Sequence, residues 1–426
     1  MDFDLVAVDG RPLFVCVDFG SRVFSWDPLG DAWTGHVLAT PWRSDSEYDF
    51  LELLALGAVV VDGRIVVGGG AEHQSFTQWD LETGAVRTFA QPTHGGVARV
   101  ISAEVDGRPL IVSGDSSLPA TVRLWDASRL DSADEGEAEA EDQSVPLYGH
   151  FDGIGGMAAG TLDDRPVVVS GGWDGRVLLW DLREQCVLSE FQKLGTPIMG
   201  AGLVDIDGFA HVVVGGHRTL TLGDAETGEW VTAFGGSPDA ESEDEDDEDF
   251  DRTGISCLDV GLVGDVPVAV TGFRDGVVQL WNLRDRRPVG VPFAAHRKEV
   301  FAVRITELDG RPVTITAGRT DTCECGISNR DGVPRRSAEG HTGQRADGPV
   351  TRAQRSGRLE TEVEPAPTGP LGRVGHTRPL GFRGVTSSLF LYTVELRRTT
   401  IPARSYSGSA PVAECVHSTQ PRRPRR

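Results

Sequence analysis

Short apolar runs recur along the first three quarters of the chain, each closed off by glycine and aspartate. Runs such as Val167–Val169 and Ile65–Val67 are β-branched and brief, so they predict strands rather than helices. They belong to a longer phrase. It consists of a turn of the type Asp-Gly-Arg-Pro, an apolar run, small residues, a second turn, and an apolar stretch ending in Trp-Asp. The clearest copy runs from Asp164 to Leu182 and ends at Trp180-Asp181. Others end at Trp26-Asp27, Trp79-Asp80, Trp125-Asp126 and Trp281-Asn282, and a degenerate copy has Gly223 in place of the Trp. The opening turn stands at Asp9, Asp106 and Asp309, and as Asp-Gly-Arg-Ile at Asp62. Asp-Gly favours two-residue hairpins, and Pro just after the turn sits at a strand start, where its missing N–H does least harm. Each unit therefore reads as a small antiparallel meander that is apolar on both faces. Such a sheet cannot stand alone, and packing copies radially buries both faces.

The recurrence of this phrase resembles the WD-repeat β-propeller family (Trp-Asp repeat proteins, bacterial type) over residues 1–318. The successive copies end 53, 46, 55, 43 and 58 residues apart, against a family period of about 40–45. The resemblance implies an all-β propeller of seven blades, each with four antiparallel strands, the last blade incomplete. It also implies a buried structural network in blade 4 made of His150, Ser170, Asp174 and Trp180, in which the polar atoms satisfy one another. On paper these residues look like a Ser-His-Asp catalytic set; their repeat context makes them structural. Blade 3 carries His94, Ser113 and Trp125 at comparable places. Blade 7 opens with His296 but lacks the indole and the turn acid, and blade 5 lacks Trp.

Aligning the second turns brings Phe19, Trp173, His217 and Arg274 to one position, with Arg319 matching in blade 7. The resemblance places this position at the rim of the top face, where partners dock. Trp and Arg are residue types enriched at binding hot spots. Phe19, Trp173, His217 and Arg274 are therefore the candidate partner-binding residues, with inter-blade packing as the plainer reading.

Enzyme motifs are missing. Lys193 is followed by Leu and Lys298 by Glu, and these are the chain's two lysines, so no Walker A loop exists. There is no H-E-x-x-H or G-x-S-x-G, and the glycines at 68–70 and 171–172 read as strand-end turns. No register of axis-facing His or carboxylate is evident. The expectation is a non-catalytic scaffold for protein partners, with no cofactor, no metal, no membrane and no nucleic acid on the propeller. The alternative is a regulatory propeller fragment of a larger multidomain signalling protein, such as a kinase or NTPase fusion.

Charge divides the chain. The net charge is −23 over 426 residues, but residues 319–426 carry +8 and residues 1–318 carry −31. Two acidic inserts, 131–143 and 239–251, read as solvated spacers between blades or as lures for a basic partner through long-range attraction. At Arg319 the repeat stops. The stretch that follows can be coded by DNA that reads D-G-H-V-R-V-W-D-L-E-S-G-R in another frame, the half-blade the repeat demands. Residues 319–426 are read as a frame-shifted Arg-, Pro- and Gly-rich tail, with a genuine disordered basic tail as the rival. Six scattered Cys without C-x-x-C spacing, no signal peptide and no long apolar stretch predict reduced thiols and a cytoplasmic location.

Overall fold

A computed structural model describes residues 2–17, 22–38, 53–131, 144–235 and 254–319, apart from 31, 54, 71–75, 90–95 and 309, together with the backbone of 373–383 and 387–395. These residues form seven antiparallel sheets arranged as blades. Blade 1 is β1–β4 (Asp2–Val8, Arg11–Val17, Val23–Asp27, Ala32–His36) and blade 2 is β5–β8 (Ala55–Val61, Arg64–Gly70, Phe76–Asp80, Val86–Phe89). Blade 3 is β9–β12 (Val97–Val105, Arg108–Asp115, Thr121–Asp126, Ser144–Tyr148) and blade 4 is β13–β16 (Ile154–Leu162, Arg165–Gly172, Val177–Asp181, Cys186–Glu190). Blade 5 is β17–β20 (Gly200–Ile206, Phe209–Gly216, Thr219–Asp224, Trp230–Gly235) and blade 6 is β21–β24 (Ile255–Val263, Val266–Phe273, Val277–Asn282, Arg287–Ala294). In these six the strands lie in chain order, the first innermost.

Blade 7 departs from that pattern. Its first two strands, β25 (Val300–Leu308) and β26 (Arg311–Arg319), repeat the others. Its third position is taken by β28 (Ser387–Glu395), and β27 (Arg373–Arg383) lies outside it, so the outer order is inverted. The expected last blade without a Trp-Asp strand of its own is what the chain has. Most of 319–426, the subject of the frame-shift reading, lies outside the described residues.

The hairpin between the first two strands shows why Asp-Gly recurs. Asp9 and Gly10 have φ of 51° and 75°, and the pairs at 62–63, 106–107 and 207–208 behave alike. Both residues are left-handed, the geometry that matches strand twist. Blade 4 achieves it with Asp163 and Asp164 at 47° and 61°, because Asp tolerates this region better than most side chains.

The apolar runs are continuous rather than alternating because each blade is buried on two sides. Val168 packs with Val112, Leu178 and Trp180 between blades 3 and 4. Its neighbours Val167 and Val169 face the other way, joining Leu179, Phe191 and Val212 between blades 4 and 5. Seven such clusters fill the seven interfaces. Each fully buried side chain of this size contributes about 1.5–3 kcal/mol. The ring closes where Phe3, Phe14 and Trp26 of blade 1 meet Ala302, Ile315 and Ala317 of blade 7.

The Trp and the Asp of the repeat have separate jobs. Trp26, Trp79, Trp125 and Trp180 are among the largest fully buried side chains. The Asp that follows opens the next turn: Asp181 Oδ1 accepts from the backbone N–H groups of Arg183 and Glu184 at 2.8 and 3.0 Å. Asp27, Asp80, Asp224 and Asn282 do the same two and three residues on. Blade 5 shows how the Trp can be replaced. A Cβ at Gly223 would come within 2.9 Å of the Trp230 ring, so the indole arrives from the neighbouring strand β20 and packs on Phe191 at 4.6 Å.

One of the two acidic inserts sits differently from expectation. The segment 239–251 joins blades 5 and 6, but 131–143 lies inside blade 3, between β11 and β12. The repeat's fourth strand is its least patterned part, which hid this.

Candidate functional site

One face of the disc carries the turns between second and third strands and the links between blades; we call it the top face. The four network residues of blade 4 meet beneath it. Trp180 Nε1 donates to Ser170 Oγ at 2.7 Å, and Ser170 Oγ lies 2.7 Å from His150 Nε2. His150 Nδ1 faces Asp174 Oδ1 at 3.5 Å. The donors run in one direction if the imidazole is neutral and protonated at Nδ1. Burial pushes the His150 pKa below its ordinary value, against the opposing pull of Asp174. Ser170 is fully buried, and its oxygen is shared between the indole and the imidazole.

The other blades keep parts of it. Trp125 Nε1 donates to Ser113 Oγ at 2.8 Å and Trp281 Nε1 to Thr271 Oγ1 at 2.9 Å. His296 Nε2 lies 2.9 Å from Thr316 Oγ1 in blade 7. His94, expected in blade 3, is outside the described residues. In blade 1 the matching position is Cys16, and Trp26 Nε1 has no hydrogen-bond partner.

Asp174 links the buried network to the surface. Its Oδ2 accepts from the backbone N–H of Phe151 at 2.8 Å, and its Oδ1 from that of Arg176 at 3.0 Å. Next to it, Trp173 is 41% exposed and its backbone N–H donates to Gly153 O at 2.8 Å. The same bond, twenty residues back along the chain, recurs from Arg274 to Gly254 and from Ser116 to Gly96. Trp173, Arg274 and Ser116 thus occupy one repeat position in blades 4, 6 and 3. His217 holds that position in blade 5 at φ 48°, its carbonyl accepting from Ile255 N–H, and burial followed by Arg218 lowers its pKa. The structure places Trp173, His217 and Arg274 on the top face of three consecutive blades. Phe19 lies outside the described residues, and Arg319 ends β26.

Sequence reasoning missed several neighbours. Phe151, 69% exposed, stands under the Arg176 guanidinium at 4.7 Å from its ring centre. Leu118 is 74% exposed in the second turn of blade 3. The available signal was an aromatic directly after Gly149-His150, in a link that needs no apolar residue.

Charged residues also line the axis, contrary to the expectation of no such register. Asp4, Asp259 and Arg304 pair with Val15, Val270 and Ile315, so they hold one position on the innermost strands of blades 1, 6 and 7. Asp4 accepts from Ala58 N–H at 3.0 Å and Asp259 from Ile305 N–H at 2.7 Å, each joining its blade to the next. Burial disfavours the Arg304 charge, but Asp259, Asp4 and Asp2 outweigh it and hold the pKa above its ordinary value. Burial raises the pKa values of Asp2 and Asp259, and pushes the Cys257 thiol up to about 12. Among the described residues no group of three or more His, Cys, Asp or Glu is arranged to hold a metal. A cavity of about 370 Å³ beside blade 6, lined by Phe273, Trp281, Pro288 and Val291 with Arg218 and Asp275, pairs no nucleophile with a base. No helix among the described residues is long and apolar enough to cross a membrane.

Residues 142–181, which span the end of blade 3 and most of blade 4, match the family model "WD domain, G-beta repeat". Over 109 residues, 26% of this chain, the sequence is 28% identical to the tRNA (34-2'-O)-methyltransferase regulator WDR6 of Drosophila melanogaster. The chain spans about a tenth of that relative's length. The meander blades make the fold a β-propeller, and the hydroxyl–indole pairs and the match over 142–181 support a propeller of the WD-repeat kind. Folds of this kind are generally non-catalytic interaction platforms.

Proposed function

We propose that the chain is a non-catalytic scaffold that docks a protein partner on its top face, through the position held by Trp173, His217 and Arg274. The observation that carries this is Trp173, a large indole left 41% exposed on the most completely networked blade, at a position repeated around the disc. A disc of short, pinned loops holds a partner with little ordering cost. The relative's printed role as a regulator supports a partner that is itself an enzyme, with this chain contributing binding rather than chemistry. The alternative reading is a regulatory propeller fragment of a larger multidomain signalling protein, such as a kinase or NTPase fusion.

On this reading the protein works in the cytoplasm with reduced thiols. The frame-shift account of residues 319–426 concerns the gene, and the nucleotides after the Gly318 codon are its test. Alanine at both Trp173 and Arg274 is expected to weaken capture of a purified partner at least about tenfold, the loss of a single hot spot. The thermal midpoint should stay unchanged. Undiminished capture by that double variant overturns the docking reading.

A further inference from the structure

We propose that the ring is held shut at its axis by a charged tie, in which Arg304 of blade 7 is shared between carboxylates of the blades on either side of it.

The tie follows from one strand position. Four residues before the pair that closes the first hairpin, blades 1 and 6 carry Asp4 and Asp259, and blade 7 carries Arg304. Blades 2, 3, 4 and 5 have Gly57, Ile101, Ala158 and Gly202 there. Charge at this position is confined to three blades that are consecutive around the ring, 6, 7 and 1, where the last repeat meets the first.

The two aspartates act alike. Asp259 Oδ2 accepts from the N–H of Ile305, one residue past the matching position in blade 7, at 2.7 Å. Asp4 Oδ2 accepts from the N–H of Ala58, one residue past it in blade 2, at 3.0 Å. Asp2 repeats the grip on Leu56 N–H at 3.2 Å. Carried on to blade 7, the same rule would set an acceptor at 304 on Leu5 N–H of blade 1. Arginine has no acceptor, and Leu5 N–H is bound instead by Asp4 Oδ1 of its own blade at 2.9 Å. The seam between blades 7 and 1 therefore has a cation where the other two have a stitch.

That cation is placed to use both neighbours. Its guanidinium stands 5.8 Å from the ring centre of Phe3 in blade 1, and its Nη1 donates to the Val303 carbonyl at 3.0 Å. Burial works against its charge, and Asp259, Asp4 and Asp2, in that order, sustain it. One side chain thus couples blades 6, 7 and 1. Arg99 of blade 3 is a second cation acting on Asp2. The remaining acids of the inner strands, Glu104, Asp205 and Glu307, lie exposed near the opposite turns. Removing one member of a buried charge set leaves the others unpaired, which is the costly change. The tie lies on β25, so it does not draw on β27 or β28.

The test is amide hydrogen exchange on the full-length chain at neutral pH, read at Leu5 and Ile305 with β14 of blade 4 as the reference. Arg304→Met keeps the length of the side chain and loses its charge. It should quicken exchange at Leu5 and Ile305 about tenfold and leave β14 unchanged, the pattern of a local opening. Arg304→Lys keeps the charge and should stay within about threefold of the parent. Adding Asp259→Asn to Arg304→Met should recover part of the lost protection, because fewer charges are left unpaired. Should Arg304→Met not fold, Asp259→Asn alone carries the test. Asn still accepts from Ile305 N–H, yet Leu5, in a blade that does not adjoin blade 6, should quicken because Arg304 has lost its strongest partner. Exchange that rises equally in β14, or a Lys variant as open as the Met variant, overturns the proposal. So does an unchanged Leu5 in Arg304→Met or Asp259→Asn, or a double variant more open than Arg304→Met.

Discussion

Blades 4 and 7 begin alike and end differently. Each has a His in its entry link, a hydroxyl on its second strand and a glycine two residues further on, where a Cβ would strike the imidazole. Blade 4 then adds Asp174 against the ring and Trp180 beneath the hydroxyl, and its third strand follows after one turn. Among the described residues blade 7 shows neither, and its outer half arrives from residues 373–395. The imidazoles record the difference. His150 loses to burial but gains from Asp174, whereas burial pushes the His296 pKa down to about 4. A repeat keeps its shape through packing; its polar network decides how it tolerates protons.

Three measurements sharpen that contrast. The largest effect is expected from Trp180→Ala, which opens a cavity between blades 3 and 4 and leaves Ser170 Oγ without the indole donor. It should cost about 3–5 kcal/mol in urea unfolding. A smaller loss would mean that neighbours such as Leu178 collapse into the gap. The next effect is acid sensitivity at His296. Its folded pKa lies below the unfolded value near 6.5, so the unfolded state binds more protons between the two. Stability is therefore full above pH 6.5 and falls as pH drops towards 4, by on the order of 3 kcal/mol. Urea midpoints across that window should flatten in His296→Gln, and an unchanged slope would assign the acid loss elsewhere. The smallest effect is a gain. Cys16 sits where Ser170, Ser113 and Thr271 accept an indole N–H, and Trp26 Nε1 lacks such an acceptor. Cys16→Ser should raise stability by about 1 kcal/mol, read as a shift in the thermal midpoint.

Much of the architecture was legible from residues alone. Trp-Asp after two turns marks three of every four strands, because buried indoles and Asx turns need particular side chains. The fourth strands were not legible. The segment Cys186–Glu190 is largely exposed, so its pairing imposes little on sequence, and the insert at 131–143 could not be assigned inside a blade. The replacement of the missing Trp in blade 5 by Trp230 was also hidden, since cross-strand substitution leaves no mark along the chain. The shared repeat position of Trp173, His217 and Arg274 was legible because register alone fixes it. Leu118 and Phe151 were not, because exposure is decided by how links fold. The axial Asp4, Asp259 and Arg304 escaped notice because they are scattered through apolar strands and share a register only once the blades are superposed.

The meeting of blades 1 and 7 is sealed by side chains alone, as every seam of the disc is, for among the described residues no strand passes from one blade to another. Phe3, Phe14 and Trp26 stack on Ala302, Ile315 and Ala317. Arg304 of blade 7 reaches across as well, over the Phe3 ring and towards Asp2 and Asp4. Oil and charge close this seam together, which makes it a clasp rather than a slit.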